Sequence, residues 1–331
     1  MAIFDRGPSE STAQADEKGG AAALALPGNS GEGRGPAPRG RTSSNTIFRV
    51  PWFWVLPAMA LVVGILYLSV GAGSLYAFTN WNGIDSPVFN GFANFTAIFR
   101  NPITRTALFN TLKIAVVFVI FTNVFGMLFA LGLNRTLKSR HFLRVVLFAP
   151  VVLSPLAVSY VWQFIFQYNG PLNRFLALIG LPGLQHGWLG DPQLALYTIM
   201  VVMIWQNIGL VMVIYLAGLA NVPPEIEEAA AIDGAGGWRR FWRITVHLIR
   251  PSIVIASVLL LVQGLKVFDQ VLGLTGGGPD NATQTLGTQV YQQTFINGEF
   301  GYGDALSLIL TIIVIIFALL QLLLLRNREA R

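Results

Sequence analysis

Apolar positions in this chain are gathered into long runs rather than recurring at amphipathic spacing. Six runs are long enough, at about 20 residues, to cross roughly 30 Å of hydrocarbon. They lie near Trp52 to Phe78, Leu108 to Leu133, Val145 to Phe166, Leu194 to Leu219, Ile253 to Leu274 and Leu306 to Leu325. Each predicts a transmembrane helix, so the expected fold class is all-α, a polytopic membrane protein with six transmembrane helices. The first run follows some fifty residues and has no small-residue cleavage site before Tyr76, so a removable signal peptide is not expected.

Composition agrees with the pattern. Of 331 residues, 53% are hydrophobic and 11% charged, too little charge for a water-facing surface. Residues 1–46 are rich in Gly, Ala, Ser and Pro without periodicity and read as a flexible cytoplasmic tail. The six-helix membrane region is placed at 47–326 and a short cytoplasmic tail at 327–331.

Charge placement sets an expected orientation. Arg6, Lys18, Arg34, Arg39, Arg41 and Arg49 precede the first run, and Arg135, Lys138, Arg140 and Arg144 lie between the second and third. Arg239, Arg240, Arg243 and Arg250 lie between the fourth and fifth, and Arg326, Arg328 and Arg331 follow the last. The opposite side carries only Arg100, Arg105 and Arg174. By the positive-inside rule both termini are cytoplasmic. The net charge of +6 is mainly this topology signal, and nucleic acid is not an expected partner.

Several chemistries have no support. The chain has no G-x-x-x-x-G-K-[ST] phosphate loop, and its zero cysteines exclude disulfides and thiolate catalysis. His141, His186 and His247 are far apart and lack metal-ligand spacing. No catalytic residue, metal site or cofactor is expected in this chain, and it is not expected to be an enzyme. The Thr275 to Pro279 run, TGGGP, reads as a loop rather than a channel filter.

One polar connection, 222–251, stands out. Pro223 and Pro224 suit a helix entry, and Glu225, Glu227 and Glu228 put negative charge where the helix dipole favours it. Ala229, Ala230 and Ala231 form a small-residue face that fits another protein's groove. Asp233-Gly234 then breaks the helix, and Trp238, Phe241, Ile244 and Leu248 recur at helical spacing with Arg239, Arg240 and Arg243 pointing elsewhere.

Glu228-Ala229-Ala230, Asp233-Gly234-Ala235, Phe241, Ile244 and Pro251 resemble the EAA loop of binding-protein-dependent ABC transporter permeases. His247 stands where sugar-uptake members usually carry proline. The resemblance extends over roughly residues 50 to 325 and is greatest to the maltose and glycerol-3-phosphate type. It includes Asn90-Gly91-Phe92-Ala93-Asn94-Phe95, Gly170-Pro171-Leu172-Asn173, Trp205, Ala217-Gly218-Leu219, Phe268-Asp269 and Thr275-Gly276-Gly277-Gly278-Pro279. The resemblance implies the type I importer permease fold and the "F"-like half of a permease pair. It implies a second, "G"-like permease, two ATPase subunits that hold ATP and magnesium, and an extracellular or periplasmic sugar-binding protein. It also implies a bacterial plasma (inner) membrane setting. Glu228, Ala229, Ala230, Asp233, Gly234 and Ala235 are then the ATPase-coupling residues.

Polar residues within the runs mark where a solute could pass. Gln206, Asn207 and Gln263 have amides suited to sugar hydroxyls, although the same groups suit interhelical hydrogen bonds. Aligned on Trp205 and TGGGP, the family's sugar site falls on Gln206, Asn207, Leu210, Gln263, Gly264 and Val267. Lys266 and Asp269, three apart, predict an internal ion pair. The competing reading is an ATP-independent secondary transporter of a small polar solute, which needs no docking loop.

Overall fold

The computed structural model describes residues 52–135 and 138–326. The expected tails at 1–46 and 327–331 lie outside the described residues. Two compact units are distinguished. In the first, Met1–Trp54, the described part is a single turn, Trp52–Trp54, with the Phe53 and Trp54 rings 5.3 Å apart. Everything below concerns the second, Val55–Arg331.

The described residues are helical, with one isolated antiparallel bridge, Thr79 to Phe89, in the loop after the first long helix. Four helices are unbroken and apolar enough to cross a membrane: α1 (Leu56–Tyr76), α3 (Pro102–Leu133), α7 (Ala195–Ala220) and α13 (Phe300–Arg326), the last passing the test over Phe300–Leu323. Between them lie α2 (Ala93–Arg100), α4 (Arg140–Val152), α5 (Pro155–Ile165), α6 (Pro171–Leu178), α8 (Pro224–Ile232), α9 (Gly237–Leu248), α10 (Arg250–Leu265), α11 (Asp269–Thr275) and α12 (Leu286–Tyr291), which one wider turn extends through Gln292–Ile296. The count reaches six crossings if each of two bent pairs, α4 with α5 and α9 with α10, is one span.

Helix ends depart from the apolar runs for local reasons. α3 starts at Pro102 rather than Leu108 because Asn101 caps it, its side chain accepting from the Ile103 and Thr104 amides at 2.9 and 3.4 Å. At 1.5 Å per residue α3 is about 48 Å long, so its ends project beyond the hydrocarbon. α13 starts at Phe300 rather than Leu306.

Two predicted spans are broken. The run from Val145 to Phe166 bends by 101° between α4 and α5. Ser154 precedes Pro155, whose ring disfavours helical backbone in the residue before it, and Leu153 and Ser154 are indeed extended, at ψ 142° and 134°. The run from Ile253 to Leu274 is divided into α10 and α11 by a break at Lys266–Phe268.

The core is built on α3 and α7, with α10 and α4 packed around them; Ile114, Phe118, Ile199, Met203 and Met212 are completely or almost completely buried. Tyr215 on α7 donates its hydroxyl to Asn123 on α3 inside this core. Close approach fixes one contact: a Cβ on Gly209 of α7 would lie 2.1 Å from the Leu147 carbonyl of α4, so only glycine fits. α1 by contrast buries no residue of its apolar window within the chain.

Candidate functional site

The polar connection between α7 and α9 is shaped by its glycine. α8 begins at Pro224 with Glu225 and Glu227 in its first turn and ends with Gly234 at φ +74°. The Gly234 amide donates to the Ala231 carbonyl at 3.1 Å, and the Ala235 amide to the Ala230 carbonyl at 3.0 Å. These two bonds form a left-handed helix cap, the Schellman arrangement, which satisfies carbonyls that the helix end leaves open. A Cβ on Gly234 would meet nothing within 4 Å in this chain, so the local demand for glycine is conformational rather than steric. The Asp-Gly-Ala sequence is thus the turn chemistry that lets α9 leave at an angle from α8.

The α8 surface is largely unpartnered within the chain. Ala230 is buried, at 8% exposure, whereas Glu228, Ala229, Asp233 and Gly234 are exposed and Ala235 is half-buried. Ile232, 87% exposed, and Trp238, 76% exposed, leave apolar surface uncovered beside the small-residue face. Arg240 of α9 reaches the Glu227 carbonyl at 3.4 Å and ties the two helices together. His247 is exposed at the end of α9, two residues before Ile249, where the chain bends by 72° into α10, and Pro251 occupies a first-turn position of α10.

A second feature is a cleft of about 470 Å³ against α10 and α11. Pro155 of α5, Leu210 of α7, and Val262, Gln263, Lys266, Val267, Phe268 and Asp269 around the helix break lie on its wall. Among the described residues the Gln263 amide has no hydrogen-bond partner within the chain, so its donors and acceptor are available to the cleft.

The six positions aligned to a sugar path divide into two sets. Leu210, Gln263 and Val267 line the cleft. Gln206, 3% exposed, donates to the Leu153 carbonyl at 3.0 Å and accepts from Gln270 Nε2 at 3.4 Å, so it braces the bend between α4 and α5. Asn207, 5% exposed, donates back to the Met203 carbonyl of its own helix at 2.9 Å. Gly264 faces α3, where a Cβ would lie 3.0 Å from the Ala115 backbone.

The expected Lys266–Asp269 ion pair is not formed among the described residues. Three-residue spacing brings side chains together only in a continuous helix, and here Lys266 closes α10 while Asp269 opens α11. Both side chains are exposed on the cleft wall instead. Two charges that face a cavity in a membrane-spanning region mark it as wet or as covered by another chain.

Residues outside the aligned set hold this break open. Thr285 donates to the Val267 carbonyl at 3.1 Å, supplying a partner that the interrupted helix lacks, and with Thr288 it forms the capping box of α12. Asn110 of α3 donates to the Ala282 and Gln284 carbonyls at 2.8 and 2.9 Å, which anchors the loop after TGGGP. That glycine run is a tight loop: Gly276 and Gly277 have φ of +62° and +92°. Gly170-Pro171-Leu172-Asn173 is likewise architectural, because buried Asn173 bonds the Tyr168 and His186 carbonyls and accepts from the Trp188 indole at 2.8 Å. Only the motif residues signalled these roles in the sequence. Thr285 and Asn110 carried no periodic or motif signal.

Comparison with known proteins agrees with the fold. Residues 122–331 match the family model described as the binding-protein-dependent transport system inner membrane component. The chain is similar to the multiple sugar-binding transport system permease protein MsmF of Streptococcus mutans, at 34% identity over 84% of this chain and 96% of the relative. Its fold is similar to a chain of a bacterial ABC transporter that imports the acidic polysaccharide alginate, with a TM-score of 0.73, 23% identity and coverage of 83% of this chain and 94% of the other. It is also similar, at TM-score 0.71 and 23% identity over 82% and 91% of the two chains, to a chain of the alginate ABC transporter in complex with an alginate pentasaccharide-bound periplasmic protein.

Proposed function

The chain belongs to the binding-protein-dependent transport system inner membrane components, and from that premise we propose that it is one of two unlike permease subunits in an ATP-driven sugar importer. The observation that carries the proposal is the pairing of a largely uncovered, small-residue helix and its turn, 224–235, with a polar cleft against α10 and α11. The first feature suits engagement by an ATPase, and the second suits passage of a hydroxylated solute.

In this reading Glu228, Ala229, Ala230, Asp233, Gly234 and Ala235 form the coupling element, which sits in a groove of one ATPase subunit. ATP and magnesium belong to the two ATPase chains. Closure of those chains on ATP moves α8, and the bend into α10 passes that movement to the cleft wall. An external sugar-binding protein, the partner class suggested by the family description and by the alginate complex, delivers the substrate. Leu210, Gln263 and Val267 line the path, joined by Lys266 and Asp269; Gln206, Asn207 and Gly264 support it through packing. Both termini face the cytoplasm of a bacterial cell, with the membrane region at 47–326 and tails at 1–46 and 327–331.

Affinity purification of the tagged chain from its native host tests the assembly. The expected product contains a second permease and a nucleotide-binding chain in a ratio of one to one to two. Recovery of this chain alone or as a homodimer, with sugar uptake retained, would exclude it.

A further inference from the structure

α9 meets α10 through one residue, Ile249, which is 1% exposed, and the chain bends there by 72°. Between Pro251 and Leu265 α10 carries no charged side chain. α9 by contrast carries Arg239, Arg240 and Arg243 in its first two turns. Charge of that density stays out of hydrocarbon, so the membrane boundary falls at the bend. With α10 tilted by roughly 20°, as spans commonly are, the 72° bend lays α9 nearer to the membrane plane than to its normal.

The surface of α9 divides into three edges. Phe241 and Ile244 are half-buried and Thr245 is buried, so one edge packs on the chain. Beside it stand Trp238, 76% exposed, and Trp242, 51% exposed, four residues apart with ring centroids separated by 5.8 Å. Arg239 and Arg243, also four apart, are exposed on the next edge, and neither has an ion-pair partner among the described residues. Arg240 is turned inward instead, to the Glu227 carbonyl. Indoles beside guanidinium groups suit the headgroup layer, where the rings meet acyl chains and the cations meet phosphate. Two observations favour lipid over protein as the cover of these edges. The bend leaves no chain between α9 and the apolar helix that enters the membrane, and the exposed cations have no carboxylate to balance them.

We propose that α9 is a membrane-surface anchor that holds anionic phospholipid headgroups, with Arg239 and Arg243 on the phosphates and Trp238 and Trp242 at the acyl boundary. The inference requires only that the chain sits in a membrane, and it holds whichever solute the chain moves. Through the bond from Arg240 to the Glu227 carbonyl, the anchor also fixes where α8 stands relative to the bilayer.

The chain has no cysteine, so Trp238→Cys takes a single bimane label in a complete complex whose other chains are cysteine-free. The labelled complex, with its partner chains bound, is placed in nanodiscs of phosphatidylcholine. Brominated phosphatidylglycerol or brominated phosphatidylcholine is then titrated into the discs. Both lipids should quench the label. The anionic lipid should do so at about five- to tenfold lower mole fraction, the enrichment that one or two cations at a bilayer surface give. Arg239→Gln combined with Arg243→Gln should bring the two lipids within about twofold of each other, and Arg239→Lys combined with Arg243→Lys should keep the difference. Equal quenching by the two lipids with both arginines present would overturn the headgroup site. Absence of quenching by either lipid while the partner chains are bound would overturn the anchor and give these edges of α9 to a protein partner.

Discussion

Gln206 on α7 donates its side-chain amide to the carbonyl of Leu153, the residue at which α4 turns into α5. A bent helix leaves carbonyls without their usual amide partners, and in a membrane each must be satisfied from within the protein. Gln206 therefore acts on the shape of the third span. Gln206→Leu should cost about 1 to 3 kcal/mol of stability and lower the melting temperature of the complex. The KM for sugar should change little. A raised KM with unchanged melting would place Gln206 on the path instead.

Gln263 makes the opposite case. Its amide faces the cleft without a partner in the chain among the described residues. Gln263→Leu should raise the KM for sugar by about five- to tenfold, the effect of roughly 1 kcal/mol or slightly more, while recovery of the complex stays normal. Uptake kinetics and yield measured on the same preparation separate the two effects.

Helix packing yields a sharper stability test. Gly209→Ala drives a methyl to 2.1 Å from the Leu147 carbonyl, whereas a methyl added at Gly132, also helical, would meet nothing within 4 Å. Overpacking of this kind costs about 1 to 3 kcal/mol or more. Gly209→Ala should reduce the yield of folded complex, and Gly132→Ala should be neutral by the same fluorescence-detected size-exclusion assay.

Much of this molecule is readable from the chain, and the unread parts share one cause. Long apolar runs require helices, so the helical class and the locations of the spans follow from hydropathy. The 101° bend had a local cue in Ser154-Pro155, hidden by the apolar residues on either side. The break at 266–268 had no such cue, since Thr285, far along the chain, supplies the partner for the Val267 carbonyl. α7 is apolar around its whole circumference, so periodicity could not tell that Gln206 points to α4 while Leu210 points to the cleft. The turn at 233–235 was legible because its chemistry is local: Gly234 and Ala235 complete their cap within one helix.

Orientation has a direct check, because the chain contains no cysteine and any introduced thiol is unique. Ser86 and Glu299 are exposed in the loops after α1 and before α13, and Ser139 is exposed before α4. Charge asymmetry predicts that Ser86→Cys and Glu299→Cys react with an impermeant maleimide in intact cells and Ser139→Cys does not. Labelling of Ser139→Cys alone would invert the topology.

The central claim is that ATP hydrolysed by partner chains drives sugar movement through this one by way of the loop at 224–235. The most direct measurement is sugar uptake into proteoliposomes that contain the purified complex, its binding protein and internal ATP, compared for the unaltered chain, Gly234→Asn and Gly234→Val. Gly234 sits at φ +74°, which asparagine tolerates and β-branched valine does not. The account predicts uptake that requires ATP, survives in part in Gly234→Asn, and is lost in Gly234→Val together with stimulated hydrolysis. Uptake that proceeds without ATP on an ion gradient, and is unchanged in Gly234→Val, would contradict it.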